Sequence, residues 1–210
     1  MSVAAITIPQ HVSGCHRYDP AHMTRWGPDA RGRLRESAME LYAKHGYDQT
    51  TVAEIAQRAG LTERTFFRHF ADKKEVLFAG SDDLRDLLVG AVSGAPPSAP
   101  PMEAVAAGLL AASAAFSEDR RAFSMRRQSI IAANAELRER ELIKLAGLAS
   151  AIADTLRRRG VSDPAASLTA EAGIAVFRVA FQRWVDARNE LGWTELVSDS
   201  MAALKVLVAP

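Results

Sequence analysis

From residue 28 onward, apolar residues recur three and four positions apart, in stretches broken by glycine, proline and short polar runs. No stretch alternates apolar and polar positions as a half-buried strand does, and no internal repeat is visible. The pattern predicts an all-α protein of about nine helices. A first helix starts at Pro28 and Asp29, carries Leu34, Ala38, Leu41 and Tyr42 on one stripe, and stops at Gly46. Two short helices follow within 51–70. A fourth is expected to open on Asp72-Lys-Lys-Glu75, which has capping-box spacing, and to run through Val76, Leu77, Phe78, Leu84, Leu87 and Leu88. Gly94-Ala-Pro-Pro-Ser-Ala-Pro-Pro101 breaks the pattern as a short stiff connector. Further helices are expected over 102–117, 118–134, 135–159, 164–189 and 193–208.

The most informative stretch is Thr51–Phe70, TVAEIAQRAGLTERTFFRHF. Val52, Ile55, Ala56 and Ala59 fall on one helical face. Thr51 and Glu54 are spaced to cap each other reciprocally. Gly60 follows the last periodic residue, where a left-handed residue ends a helix at least cost. Thr62 can then cap a second helix. Phe66 and Phe70 share its inner face, whereas Arg64, Thr65, Phe67 and Arg68 point the other way. Two helices joined by a tight turn, the second carrying outward arginines, have the form of a helix-turn-helix DNA reader. An ordinary helical hairpin in a bundle would share the spacing.

The wording TTVAEIAQRAGLTERTFFRHFADKKEVL resembles the DNA-binding segment of TetR-type (tetracycline-repressor-like) regulators, over about Ala30 to Leu88. Beyond that segment only the helical outline is similar. The resemblance implies a three-helix head and a helical body for effector binding and dimerisation. It implies a homodimer joined through the last two helices, a palindromic double-stranded DNA operator whose binding represses transcription, and release by a small-molecule effector not identified by the sequence. Thr51, His69 and Lys73 match the family's phosphate-contacting positions, and Arg64, Thr65 and Phe67 match those facing base edges. Phe67 stands where the family usually has tyrosine, so a hydroxyl bond to phosphate is missing, and Arg68 is a substitute. Thr50 and Thr62 complete the candidate DNA-binding set. The expected division is a 1–27 arm, a 28–75 DNA-binding domain and a 76–210 effector and dimerisation domain.

Composition modifies this picture little. Hydrophobic residues make up 48% of the 210, enough for a substantial core. The net charge of +1 neither requires nor excludes nucleic acid, because a groove reader needs only a local basic patch. Arg31, Arg33 and Arg35 are either a solvated face or phosphate contacts, and Arg17 and Arg25 could serve a DNA-tracking arm. Cys15 is the one cysteine, so no intrachain disulfide can form, which suits a cytoplasmic protein. Val12-Ser-Gly-Cys15 imitates a lipoprotein box but lacks a basic n-region and a sustained apolar core. The run Ala104–Phe116 is too short for a standard membrane span and reads as a buried helix, so no membrane partner is expected.

Candidate catalytic chemistry is thin, and no enzyme, cofactor or metal site is expected. There is no HExxH, GxSxG or strand-linked GxGxxG. The alternative is a small helical Mg-dependent enzyme acting on an isoprenyl diphosphate through Asp82, Asp83 and Asp86, with Arg85 as a competing ion-pair partner. A helical adaptor that has lost DNA binding is a third reading. For an effector pocket, Phe116, Phe123, Gln128, Asn134, Phe177 and Trp184 supply aromatic walls with scattered polar groups. For a dimer face, the last two helices offer Val176, Val179, Trp184, Leu196 and Leu204.

Overall fold

Asp29 caps the first helix by accepting from the Arg31 amide at 3.1 Å, and all-helical structure follows from there. The computed structural model describes residues 29–208, so the expected 1–27 arm, with Arg17, Arg25 and Cys15, lies outside the described residues. Nine α-helices and one short 3₁₀ helix are present among the described residues, with no strand. They are α1 (Ala30–His45), α2 (Val52–Arg58), α3 (Glu63–His69), α4 (Ser81–Gly94), α5 (Pro101–Ala111), the 3₁₀ helix Ala112–Phe116, α6 (Glu118–Ala133), α7 (Ala135–Arg158), α8 (Asp163–Trp184) and α9 (Trp193–Val208).

Two boundaries differ from the sequence pattern. Asp72 does accept from the amides of Lys74 and Glu75, at 2.9 and 3.0 Å, but no helix begins there. Residues 72–80 form successive turns, with i→i+3 bonds such as Leu77 N to Lys74 O and Phe78 N to Glu75 O. Val76, Leu77 and Phe78 are all buried, and three consecutive residues cannot all face inward from one side of a helix. The Glu75 carboxylate is also drawn away to Arg140 and Lys144 instead of closing a cap. Gly80, at φ 94°, then turns the chain into α4. The eighth helix ends at Trp184, not Asn189. Arg121 takes the carbonyls of Trp184, Asp186 and Asn189, and Asp186 accepts from the Arg188 amide, so the chain bends before α9.

The apolar positions sort into two cores. One lies in the head: Leu34, Ala38 and Tyr42 of α1, Ile55 of α2 and Phe66 of α3. This core continues past residue 75. Val76, Leu77 and Phe78 join it, as do Ile130 and Ile131 of α6 and Leu137 of α7. The other core fills the body between α4, α5, α7, α8 and α9. There Ala104, Val105, Leu109, Ala112 and Phe116 are buried, as expected of their apolar run. Gly173 lets α8 touch α5, because a Cβ there would stand 2.5 Å from Val105 Cγ1. By length and composition alone α8 could cross a membrane, but eight of its residues are buried, several of them in this core.

The connector after α4 is pinned. Arg159 donates to the carbonyls of Ala95 at 2.6 Å and Pro96 at 2.8 Å. Of the apolar residues expected on a dimer face, Val176, Trp184 and Leu196 are buried inside the protomer. They lie on the inward stripes of α8 and α9. Val179 is exposed and Leu204 half-buried.

Candidate nucleic-acid interface

Thr51 holds the start of α2. Its hydroxyl accepts from the Glu54 amide at 3.2 Å, and its own amide donates to Glu54 Oε2 at 2.8 Å. The hydroxyl also lies 2.9 Å from that carboxylate. These bonds hold the Glu54 carboxyl below its usual range, the Thr51 amide contributing most. At the other end Gly60 adopts φ 66°, and Leu61 N returns to Ala56 O at 2.8 Å. Small Ala56 and Ala59 let the turn close. Thr62 then caps α3 by accepting from the Thr65 amide at 3.2 Å.

The two phenylalanines fix how α3 is rolled. Phe66 is fully buried and Phe70 nearly so. The opposite face is therefore turned to solvent: Arg64, Phe67 and Arg68 are exposed, Phe67 by 54%. Phe67 packs edge-on against Phe66, their centroids 5.5 Å apart. An exposed aromatic held between two exposed arginines, on a helix locked at its back, can present guanidinium donors and an apolar plane to a groove. Thr65 is half-buried, with its hydroxyl 3.0 Å from that of Thr62. His69 is half-buried at the end of α3, and its Nε2 is enclosed without a hydrogen-bond partner. Among the flanking arginines, Arg31 stands 5.7 Å over the Phe70 ring and Arg35 4.9 Å over the Phe123 ring. Arg33 is half-buried in a groove of about 420 Å³ with Glu36, Ser37, Glu40, Arg58 and Ala59.

Two candidate DNA contacts are placed otherwise than expected. Thr50 is buried, and its hydroxyl donates to Gly46 O at 2.8 Å, because it closes the turn after α1. Lys73 does not stand at a helix N-terminus, since α4 starts at Ser81. Its ammonium donates to the carbonyls of Tyr47, Thr50 and Asp48, at 3.0, 3.1 and 3.3 Å.

The six expected effector residues do not form one pocket. Phe116, Phe177 and Trp184 do meet, in a buried aromatic cluster completed by Phe181 and Trp193. Phe116 stacks on Trp193 at 3.9 Å, and Trp193 Nε1 donates to Leu109 O at 2.8 Å. The i, i+4, i+7 spacing of Phe177, Phe181 and Trp184 was the available signal for Phe181. Phe123 instead packs against the head core. Gln128 donates to Glu141 at 3.5 Å. Asn134 caps α7 through Leu137 N and donates to Asp48. These three are consumed by the joint between head and body. The acidic cluster is likewise occupied: Arg85 pairs with Asp82 at 3.2 Å and Asp86 at 3.0 Å. No metal-ligating group of three occurs among the described residues.

That joint contains residues the sequence pattern did not single out as a contact between the two units, Glu75 reading there only as a helix cap. Arg127 of α6 donates to Leu77 O at 2.6 Å, lies 5.2 Å over the Phe78 ring and pairs with Glu141 at 3.6 Å. Glu75 pairs with Arg140 at 2.6 Å and Lys144 at 3.2 Å. Lys74 pairs with Glu136 at 2.8 Å. Charged residues at helical spacing read as solvated faces, so no signal in the sequence separates these from the others.

Residues 34–79 match the family model "Bacterial regulatory proteins, tetR family", and residues 99–208 match the model "MftR C-terminal domain". The chain is 36% identical over 75 residues to the HTH-type transcriptional regulator TcmR of Streptomyces glaucescens. That match covers 36% of this chain and only 33% of TcmR. It is 26% identical over 155 residues to the transcriptional regulator MftR of Mycobacterium tuberculosis, covering 72% of this chain and 78% of MftR. In fold it is similar to SmeT in a SmeT–triclosan complex, with TM-score 0.59, 19% identity and coverage of 83% and 90%. It is also similar to a transcriptional regulator from Rhodococcus sp. Rha1, with TM-score 0.51, 19% identity and coverage of 87% and 100%.

Proposed function

This chain belongs to the tetR family of bacterial regulatory proteins, and from that premise we propose that it represses transcription by binding a palindromic DNA operator as a homodimer. The observation that carries the reading is the outward face of α3. Arg64, Phe67 and Arg68 are exposed there while Phe66 and Phe70 lock the helix against the head. Arg64 serves as a bidentate donor to a guanine, and Phe67 and Thr65 pack on thymine methyls. Arg68, His69, Thr51 and Thr62 border the duplex backbone. Thr50 and the Lys73 ammonium are left out of the contact set, because both are engaged within the head. The 28–75 segment reads DNA and 76–210 carries dimerisation and effector binding, with α6 and α7 completing the head core. Such a protein works where the DNA is, in the cytoplasm.

The dimer forms through α8 and α9, whose outer faces carry Leu168, Val179, Val206 and Leu207, between 48% and 81% exposed. The effector site is the cluster of Phe116, Phe177, Phe181, Trp184 and Trp193, which a ligand enters by parting the rings. SmeT, a relative in fold, has been solved in complex with triclosan. A ligand releases DNA to the extent that it prefers a state with differently spaced heads.

Selection of bound duplexes from a random library tests the reading. A palindromic consensus, bound with a steep salt dependence by a dimer in light scattering, is the expected result. A monomer at micromolar concentration that binds half-sites independently refutes the dimer. Mg-dependent turnover of an isoprenyl diphosphate with no selected sequence would favour the enzyme, but Arg85 already pairs with two of the three aspartates that reading needs, Asp82 and Asp86.

A further inference from the structure

Lys73 sits at the crossing of three chain segments. Its side chain reaches the loop between α1 and α2, where the carbonyls of Tyr47, Asp48 and Thr50 converge on the ammonium within 3.0–3.3 Å. The same ammonium lies 4.4 Å over the Tyr47 ring. Its backbone carbonyl accepts from the Tyr42 hydroxyl at 2.6 Å, and Tyr42 is buried in α1. An ammonium has three protons, and here three carbonyls lie within reach of them. A phosphate could be contacted only by giving up at least one. The last of the three carbonyls belongs to Thr50, the residue before Thr51, the cap of α2.

Resting on the reading of α3 as a DNA-reading helix, we propose that Lys73 is a positioning residue of the reader and not a phosphate contact. It fixes the loop that delivers Thr51 and α2, and thereby the place of α3 relative to the duplex. The geometry separates this role from a charge role. Three carbonyls converging on one tetrahedral nitrogen suit lysine, whereas a longer, planar guanidinium spreads its donors over three nitrogens and cannot place them at that one point. A phosphate, by contrast, is bound at least as well by arginine.

The experiment measures binding of the full chain to its selected duplex over a range of salt concentrations, for wild type, Lys73→Arg and Lys73→Met. Positioning predicts that both variants lose affinity, roughly tenfold, with Lys73→Arg running parallel to wild type at every salt concentration. Both should also speed hydrogen exchange at the Thr50 amide, which donates to Tyr47 O within the same loop. A phosphate contact predicts wild-type binding by Lys73→Arg. It also predicts a salt slope for Lys73→Met shallower by about 0.9 per subunit. Either result overturns the proposal. So does lower thermal stability with unchanged affinity in folded Lys73→Arg, since that is a purely structural role. If Lys73→Met fails to fold, Lys73→Arg decides alone. Failure of wild type to select any duplex would overturn the reader itself, and hydrogen exchange would still show whether Lys73 holds the loop.

Discussion

Replacing Glu75 with glutamine should weaken the joint between head and body by about 1–3 kcal/mol at pH 7. Glu75 Oε1 stands 2.6 Å from Arg140 Nε and Oε2 3.2 Å from Lys144 Nζ. The glutamate side chain is 18% exposed, against 31% for Arg140 and 26% for Lys144. Fully buried pairs cost about 3–5 kcal/mol when one partner is lost, and exposed pairs about 0–1 kcal/mol. This triad lies between those limits, because water reaches both cations once the carboxylate is gone. Glutamine keeps the shape but turns an NH₂ group toward a cation. In a chain of this size each kcal/mol moves the melting temperature by about 2–4 °C. The pH dependence carries a sign. Burial raises the Glu75 pKa, but the Arg140 and Lys144 bonds outweigh it and hold the group below its usual range. Its stabilisation is therefore fully present above the unfolded glutamate value and is lost as pH falls through the lower native one. Urea titrations of both proteins should show a constant gap from pH 7 down to about pH 5, closing in acid. A variant as stable as wild type at pH 7, or a gap that widens in acid, would refute the reasoning.

The other predictions concern single contacts. Gly60→Ala keeps open space around the new methyl, whose nearest neighbour is Arg33 Nη1 at 3.9 Å, so only the φ of 66° is penalised. The expected loss is about 1–2 kcal/mol in chemical denaturation. Gly173→Ala should cost about 1–3 kcal/mol for a different reason, the 2.5 Å approach to Val105 Cγ1. Adding Val105→Ala should recover part of that loss, and strict additivity of the two changes would argue against the contact. Arg64→Ala should lower affinity by about 1–3 kcal/mol per half-site and relax preference at one base position, read by repeating the library selection. An unchanged sequence preference would remove Arg64 from the base-reading set.

The reading head was legible because its signals are local. Thr51 with Glu54, Gly60 and Thr62 each act within four residues, and the structure shows both caps and the left-handed turn. The inward Phe66 and Phe70 and the outward Phe67 follow from helical period alone. The start of α4 was misread because Asp72 satisfies its local capping bonds in a turn as well as in a helix. What decided it was tertiary, the burial of Val76, Leu77 and Phe78 together and the pull of Arg140 and Lys144 on Glu75. The expected effector residues are divided for a similar reason. Phe123 and Trp184 look alike in sequence, but one packs under Arg35 of the head and the other among the rings of the body.

The head core cannot be closed by the head alone, and this bears on how a ligand would act. Ile130 and Ile131 of α6 and Leu137 of α7 are buried with Leu34 and Ile55, so α6 belongs to both units. At its N-terminal end α6 starts one residue beyond Phe116, a member of the aromatic cluster, and its Arg121 holds carbonyls at the end of α8 and in the connector to α9. In its second half Arg127 grips Leu77 O and the Phe78 ring in the turns that follow α3. One helix of sixteen residues thus touches the proposed ligand cluster and the base of the reader. A ligand that parts Phe116 from Trp193 displaces the start of a packed, stiff element, and close packing passes that displacement on to its far end. The 72–80 turns would receive it, because side chains of α6 and α7 hold them: Arg127 takes Leu77 O, and Arg140 and Lys144 pair with Glu75. DNA affinity then changes by the difference in ligand affinity between the two placements of α6, and by no more than that difference.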